Sequence, residues 1–334
     1  GATMSSVAWV AWEDPWLEGN DDGIPSARGG AQVYSPPTPR TDVCIMWIHG
    51  GAFQWQTHNE NSYIFACSRI AAITGMTVVI PDHLLSGEGR PFQATHILEQ
   101  LMANMWWLVE HDPVTSKKRP ADSCVVLAGD SSGATQALSI LCALARHAPE
   151  SIGVVPCLIL VSPALDLTCR CHTYVSNAYS EDHRTGDAFF TDGVEVSRKI
   201  FRDIGWWYAG SEEGLTDPIL SPYWLARGAD EALVGALERS WVPIFMCVGA
   251  PEALAGEVLD FAQRLRGRLP MEVWVHEGVF HCWVTIPSNH HFPSQDAALH
   301  NIADFVHRVV GEPGARPQSP ELKVGIHYYI DEWW

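Results

Sequence analysis

The stretch Gly129-Asp130-Ser131-Ser132-Gly133 lies between an apolar run at residues 124–128 and a helix-like run at residues 134–146. Its Gly-x-Ser-x-Gly pattern is typical of a sharp turn from a strand into a helix, where only glycines let the two elements approach closely. The central serine of such a turn has a strained backbone that exposes its hydroxyl. The pattern predicts Ser131 as a nucleophile, although an ordinary Ser/Gly turn would share it.

A second motif, His49-Gly50-Gly51-Ala52-Phe53, follows a buried-strand pattern at residues 43–48. Small residues there leave backbone N–H groups accessible, and such groups stabilise the negative oxygen of a tetrahedral acyl-transfer intermediate. We expect these oxyanion donors to come from Gly50, Gly51 or Ala52, together with Ser132. The N–H of Ser132 would lie at a helix N-terminus, where backbone donors are free and the helix dipole favours an anion.

A serine nucleophile needs a base, and histidine, with an unperturbed pKa of about 6.5, can both accept and return a proton. In hydrolases with this turn the chain order is nucleophile, acid, histidine. The acid and base should therefore follow the strand-like runs at residues 243–248 and 271–275. We predict Glu252 as the acid and His281 as the base.

Each of these two positions has alternatives. Glu257 and Asp260 lie in a helical pattern at residues 254–265, whose charged face we interpret as solvated. His276 stands at the end of its own strand, where a structural role is the simpler interpretation. His281 lies in a loop that can fold over the serine.

These motifs resemble those of the hormone-sensitive-lipase-like branch of the α/β-hydrolase superfamily, and the resemblance covers most of the chain. The turn at residues 129–133, called the elbow below, resembles the branch's Gly-Asp-Ser-Ala-Gly. Residues 162–167, Ser-Pro-Ala-Leu-Asp-Leu, resemble its strand-end signature. The resemblance implies an α/β-hydrolase fold, with a mostly parallel central sheet flanked by helices and a helical cap. It also implies catalytic roles for Ser131, Glu252 and His281.

The chain departs from that branch at several places. Ser132 stands where alanine is usual, which keeps the backbone N–H and adds a hydroxyl. Residues 83–88 read His-Leu-Leu-Ser-Gly-Glu where relatives have Tyr-Arg-Leu-Ala-Pro-Glu, so the shape of the substrate pocket is expected to differ. Glu252 replaces the more frequent aspartate, and glutamate is an accepted triad acid.

The order of elements indicates a doubly wound α/β domain. After the first two, the strand-like runs alternate with helical patterns, and the clearest helix has apolar residues at three- and four-residue steps over residues 97–109. The predicted strands are residues 31–34, 43–48, 77–80, 124–128, 157–161, 243–248 and 271–275. We predict one domain over residues 1–334, a cap from about 1–30 and 168–215, and a C-terminal tail at about 312–334.

Aromatic residues are frequent in the predicted cap and suggest the substrate class. They are Trp9, Trp12, Trp16, Phe189, Phe190, Trp206, Trp207 and Tyr208. Large flat apolar rings around an entrance favour a hydrophobic or aromatic substrate, although they could equally only attach the cap to the core. We expect His49, Phe53, Trp206 and Trp207 to contact the substrate.

Charge and cysteine content exclude several classes of partner. The formal net charge of −18 repels nucleic acid and anionic membrane surfaces. Neither a membrane-spanning apolar run of about 18 residues nor an N-terminal secretory signal is visible, so we expect a cytoplasmic protein without integral membrane association. The nine cysteines show no C-x-x-C spacing. We expect reduced thiols, no metal and no cofactor, since Cys169-Arg170-Cys171-His172 lacks a second ligand pair.

Together the motifs predict a serine carboxylesterase or lipase-like hydrolase that forms an acyl-enzyme from a small hydrophobic ester. Two alternatives remain: an acyltransferase or lactonase with the same triad, and a non-catalytic binding protein. The plant gibberellin receptor resembles this branch and lacks its triad histidine, whereas His281 is present here. The sequence leaves the oligomeric state open, a homodimer included.

Overall fold

The fold was analysed in a computed structural model, which describes residues 5–11, 30–56, 61–90, 93–177, 186–187, 194–287, 293–311, 323 and 325–329. For residues 5–11 only the backbone is described. Trp12, Trp16, Phe189 and Phe190 lie outside the described residues, and so does the side chain of Trp9. The predicted cap boundaries and most of the predicted tail therefore stay predictions.

The described residues form a mostly parallel sheet of nine strands in the order β1-β2-β4-β3-β5-β6-β7-β8-β9. The strands are β1 (Ser5–Ala11), β2 (Gly30–Ser35), β3 (Val43–Ile48), β4 (Thr77–Pro81), β5 (Cys124–Asp130), β6 (Leu158–Val161), β7 (Ile244–Gly249), β8 (Met271–His276) and β9 (Gly325–Tyr329). Among the described strands, the two antiparallel pairings are those of β2 with β1 on one side and with β4 on the other. All seven strands predicted from the sequence are present, and β1 and β9 extend the sheet at its two edges.

The central strands are buried on both faces because helices cover the sheet on both sides. Every residue of β3, β5 and β7 is buried, which explains their continuous apolar sequences. The helices are α1 (Asn61–Thr74), α2 (Ala94–Glu110), α3 (Ser132–His147), α4 (Thr173–Ser176), α5 (Val194–Ala209), α6 (Tyr223–Ala226), α7 (Glu231–Ser240), α8 (Ala255–Arg264) and α9 (Pro293–Val310). Buried residues of α1 and α9 form one core with the sheet, and those of α2, α3, α7 and α8 form the core on the opposite face. The predicted α/β class is confirmed.

The parallel strands all end at the same edge of the sheet. The loops after β3, β5, β6, β7 and β8 carry, respectively, the His49 motif, Ser131, Ser162, Glu252 and His281. In parallel α/β sheets this carboxyl edge is where ligands bind. The topology therefore collects the chemically interesting residues of the sequence at one place.

The turn from β5 into α3 depends on two glycines. A Cβ atom on Gly129 would lie 2.6 Å from the carbonyl oxygen of Gly133, and one on Gly133 would overlap the carbonyl oxygen of Ile48 at the end of β3. Real Cβ atoms do not approach backbone so closely, so both positions require glycine. The same contact holds the start of α3 against the loop that follows β3.

We expect Gly133→Ala to lower the free energy of unfolding by about 1–3 kcal/mol or more, because the added methyl group must push two backbone segments apart. The matched control is Gly153→Ala, since a Cβ there would meet no atom within 4 Å. Urea unfolding of both variants beside the parent protein measures the difference. Equal midpoints for the two variants would show that the close approach at Gly133 is unimportant.

Candidate active site

Ser131 occupies the strained position that the Gly-x-Ser-x-Gly pattern predicts. Its backbone has φ 52° and ψ −123°, a conformation that non-glycine residues rarely adopt. The N–H of Ser131 donates to the carbonyl oxygen of Val161 at 2.8 Å, which ties the turn to the end of β6. The hydroxyl of Ser131 lines a cavity, so the strained turn presents it to a ligand.

The structure brings Ser131, His281 and Glu252 into one hydrogen-bonded chain. Nε2 of His281 lies 3.0 Å from Oγ of Ser131, and Nδ1 of His281 lies 2.8 Å from Oε2 of Glu252. Glu252 is fully buried. This is the geometry of a nucleophile, a base and an orienting acid, built from residues 150 and 29 positions apart in the chain.

Glu252 is held by two further donors on its second carboxylate oxygen. Its Oε1 accepts the N–H of Gly249 at 2.6 Å and the hydroxyl of Ser162 at 2.8 Å. The Ser162 oxygen in turn accepts the N–H of Cys282 at 3.2 Å, next to His281. Ser162 was not among the site residues predicted from the sequence, and its only signal was its place in the strand-end signature after β6.

The alternative acid Glu257 is not solvated, so that interpretation of the helical pattern was wrong. Its exposed fraction is 0%, and its Oε1 accepts the N–H groups of Leu165 at 2.6 Å and Asp166 at 3.2 Å. Burial raises the pKa of Glu257 well above its usual value. It supports the loop after β6, whereas His281 bonds to Glu252.

The other two alternatives also have structural partners. Asp260 accepts the hydroxyl of Tyr223 at 2.8 Å and forms an ion pair with Arg264 at 2.8 Å. His276 is buried, and its ring lies 5.0 Å from that of Trp283. Both contacts lie outside the chain of hydrogen bonds from Ser131 to Glu252.

In the loop after β3, two N–H groups without a hydrogen-bond partner in the described part of the chain lie between two that are hydrogen-bonded. The N–H of Gly50 donates to the hydroxyl oxygen of Tyr63 at 2.9 Å, and that of Phe53 donates to Oγ of Ser132 at 3.1 Å. Among the described residues, the N–H groups of Gly51 and Ala52 have no hydrogen-bond partner. The contact with Tyr63 therefore removes Gly50 from the candidate oxyanion donors and leaves Gly51, Ala52 and the backbone of Ser132.

Asp130, which precedes the nucleophile in the chain, has a buried carboxyl group. Asp130 accepts the indole N–H of Trp47 at 2.9 Å, and its second oxygen lies 3.2 Å from the hydroxyl of Tyr63. Burial raises the pKa of Asp130 to about 6, although these two hydrogen bonds oppose the shift. Through Tyr63, Asp130 connects the elbow to the N–H of Gly50.

The pKa of His281 is raised above its ordinary value of 6.5. Burial by itself lowers this pKa, because it disfavours the charged imidazolium. The hydrogen bond with Glu252 and the negative charges of Glu252, Asp187 and Asp130 raise it by more. The site thus favours the protonated imidazole that forms when the base takes a proton from the serine.

A cavity of about 330 Å³ opens onto Ser131 and His281, and its wall is largely apolar. Phe201, Ile204 and Gly205 reach it from α5, and Phe53 lines it while stacking on Tyr208 at 3.9 Å. Further lining residues include Trp55, Leu167, Tyr174, Leu254, Thr285 and Ile286.

Three of the four predicted substrate contacts are absent from the described cavity wall. Trp206 is 44% exposed and Trp207 packs on the core beside the cavity, because helical geometry points residues 201, 204 and 205 inward instead. His49 is buried and stacks on His83 at 4.1 Å. Only Phe53 lines the cavity as predicted.

All nine cysteines are free thiols. Cys282 lines the cavity, and its sulfur lies 3.4 Å from Nε2 of His281. Over the described parts of the chain, neither a cluster of metal ligands nor a helix long and apolar enough to cross a membrane is present.

Comparison with known proteins identifies the fold family. A family model described as the alpha/beta hydrolase fold matches residues 45–285. An esterase from Pyrobaculum calidifontis is 21% identical, over 83% of this chain and 80% of that one, with a TM-score of 0.65. Carboxyl esterase 2 from the mycorrhizal fungus Tuber melanosporum is 18% identical, over 84% and 82%, with a TM-score of 0.64. An esterase from the bacterial hormone-sensitive lipase family is 20% identical, over 85% and 82%, with a TM-score of 0.61.

No curated protein sequence matches the chain. The identities to the solved structures are low, so these similarities concern the fold. The family model nevertheless spans well over half of the chain and includes the elbow, the loop after β3 and both residues that contact each other across the site, Glu252 and His281. The α/β-hydrolase fold expected from the motifs is thereby confirmed, and the chain belongs to the α/β-hydrolase family.

Proposed function

We propose that this protein is a serine carboxylesterase, lipase-like in its motifs, that cleaves esters of small hydrophobic or aromatic molecules through an acyl-enzyme. The observation that carries the proposal is the hydrogen-bonded chain from Ser131 through His281 to Glu252, which opens onto an apolar cavity. The family and the esterases with the same fold support a hydrolytic reaction.

In the first half of the reaction, Oγ of Ser131 attacks the ester carbonyl carbon while Nε2 of His281 takes its proton. Glu252 orients the imidazole and stabilises its positive charge. The carbonyl oxygen becomes negative and accepts hydrogen bonds from the N–H groups of Gly51, Ala52 and Ser132. His281 then returns the proton to the departing alcohol, and an acyl group remains on Ser131.

In the second half, water replaces the alcohol. His281 takes a proton from the water, which attacks the acyl carbon. His281 then returns this proton to Oγ of Ser131 as the bond from the acyl carbon to that oxygen breaks and the carboxylic acid leaves. An alcohol or amine in place of water would make the protein an acyltransferase, and a cyclic ester would make it a lactonase. Product analysis with and without an added alcohol distinguishes these outcomes.

The cavity supports a substrate of modest size and low polarity. Its volume of about 330 Å³ lies at the small end of ligand sites, and Phe53, Phe201 and Ile204 offer apolar contacts. p-Nitrophenyl acetate and p-nitrophenyl butyrate are therefore suitable first substrates.

Ser131→Ala and His281→Ala should each remove nearly all hydrolysis of p-nitrophenyl butyrate, and the double variant should be no worse than either, because triad members act as a unit. Labelling by a fluorophosphonate, which reports an activated serine, should occur in the parent protein and be absent from Ser131→Ala. Substantial turnover by Ser131→Ala would overturn the proposed nucleophile.

Glu252→Gln should lower kcat by a factor of order 10⁴, because the amide imposes the wrong tautomer on His281. Glu257→Gln is the matched control, since both carboxyl groups are fully buried. The uncharged amide can still accept the N–H groups of Leu165 and Asp166, so kcat should stay close to the parent value. Both variants are measured at one pH, with urea midpoints to exclude unfolding. A normal rate in Glu252→Gln with a lost rate in Glu257→Gln would exchange the two roles.

The rate should rise with pH, with a midpoint above the ordinary histidine value of 6.5, because only neutral His281 accepts the serine proton and its pKa is raised. The rate of fluorophosphonate labelling measured against pH gives the midpoint in the free protein. In Glu252→Gln the midpoint should move down, because burial then acts on His281 without the opposing carboxylate. A profile without a step in this range would argue against His281 as the base.

A further inference from the structure

The loop at residues 49–53, which carries the candidate oxyanion donors, is attached to the rest of the protein at both ends by hydroxyl groups. Tyr63 accepts the N–H of Gly50 at one end, and Ser132 accepts the N–H of Phe53 at the other. The two groups between them, on Gly51 and Ala52, have no partner among the described residues. The attachment therefore separates the structural N–H groups of the loop from those available to a ligand.

This loop has an unusual backbone that does not hold its shape through local preference. Gly51, Ala52 and Phe53 have φ values of 106°, 53° and 61°, so three consecutive residues lie on the left-handed side. Ala52 and Phe53 adopt this conformation at a cost that the surrounding contacts must offset. Phe53, the last of these three residues, donates its N–H to the hydroxyl of Ser132.

Ser132 has two separate hydrogen-bonding groups at the site. Its N–H lies at the start of α3, immediately after the nucleophile, and its hydroxyl oxygen accepts from Phe53 at 3.1 Å. The residue is almost completely buried, so water does not readily replace this bond. One residue thus contributes an oxyanion donor and holds the loop that contributes the others.

We propose that the Ser132 hydroxyl is a positioning group that sets the distance between the two halves of the oxyanion hole. The inference rests on the proposed function and gives the side chain of Ser132 a role in addition to that of its backbone N–H. Alanine is usual at this position in the branch that the motifs resemble. The hydrogen bond from Phe53 to the Ser132 hydroxyl is therefore a feature of this chain.

Loss of the hydroxyl leaves the Phe53 N–H buried without a partner, and the loop must shift to satisfy it. The N–H groups of Gly51 and Ala52 then move away from the developing oxyanion. Such contacts act mainly in the transition state, so the shift lowers kcat and leaves KM nearly unchanged.

The test compares Ser132→Ala with Ser139→Ala. Both serines are buried in α3, and the Ser139 hydroxyl has no hydrogen-bond partner among the described residues. Ser132→Ala should lower kcat for p-nitrophenyl butyrate by about 10- to 100-fold, a loss comparable to misplacing a reacting group by about 1 Å. Ser139→Ala should keep the parent kcat, and urea midpoints exclude unfolding of either variant.

Two further measurements separate positioning from a purely structural effect. An alkyl trifluoromethyl ketone, which forms a tetrahedral adduct with an oxyanion, should bind Ser132→Ala more weakly by about the factor lost in kcat. The pH midpoint of fluorophosphonate labelling should stay unchanged, because His281 keeps its partners. Hydrogen exchange of the peptide containing residues 49–56 should accelerate in Ser132→Ala and not in Ser139→Ala.

The outcomes distinguish this inference from the proposed function. A parent protein that hydrolyses the ester, with unchanged kcat and exchange in Ser132→Ala, overturns the role of the hydroxyl alone. An equal loss of kcat in Ser139→Ala also overturns it. A parent protein that neither hydrolyses esters nor reacts with the fluorophosphonate overturns the proposed function. The positioning role of the Ser132 hydroxyl is then overturned with it.

Discussion

The contact of Gly133 with the carbonyl oxygen of Ile48 is the constraint on which the site depends. It forces the first turn of α3 against the end of β3, two elements that are 84 or more residues apart in the chain. Because Gly133 has no side chain, the start of α3 and the end of β3 meet backbone to backbone at this contact. The parallel sheet then adds the loops after β6, β7 and β8 at the same edge.

Three of the buried carboxyl groups near this region have different partners, and these give them different roles. Glu252 faces His281 and is held by the N–H of Gly249 and the hydroxyl of Ser162. Glu257 binds two backbone N–H groups, and burial raises its pKa. Asp130 binds Trp47 beneath the elbow. Their electrostatic effects on His281 also differ. Glu252 and Asp130 both raise the pKa of His281, and Glu252 raises it more.

The cavity shows how a helix divides its residues between the protein and a ligand. α5 carries aromatic residues on several faces, and only the face with Phe201, Ile204 and Gly205 looks into the cavity. The neighbouring Trp206 is exposed and Trp207 packs on the core, so neither lines the described cavity. An aromatic-rich segment therefore does not by itself identify a substrate contact. The small volume and apolar wall that result come from a few aliphatic and aromatic side chains.

Local patterns in the sequence determined much of this protein. The glycines at 129 and 133, the alternating elements and the chain order of serine, acid and histidine follow rules that act over a few residues or over element order. They sufficed to predict the α/β-hydrolase fold, the seven inner strands and the three residues that the structure brings together. Tertiary structure decided which N–H groups stay free, since Tyr63 and Ser132 reach the loop from α1 and α3. It likewise buried Glu257 and gave Glu252 the hydroxyl of Ser162 as a partner, because hydrogen-bond partners and burial depend on residues that only folding brings together.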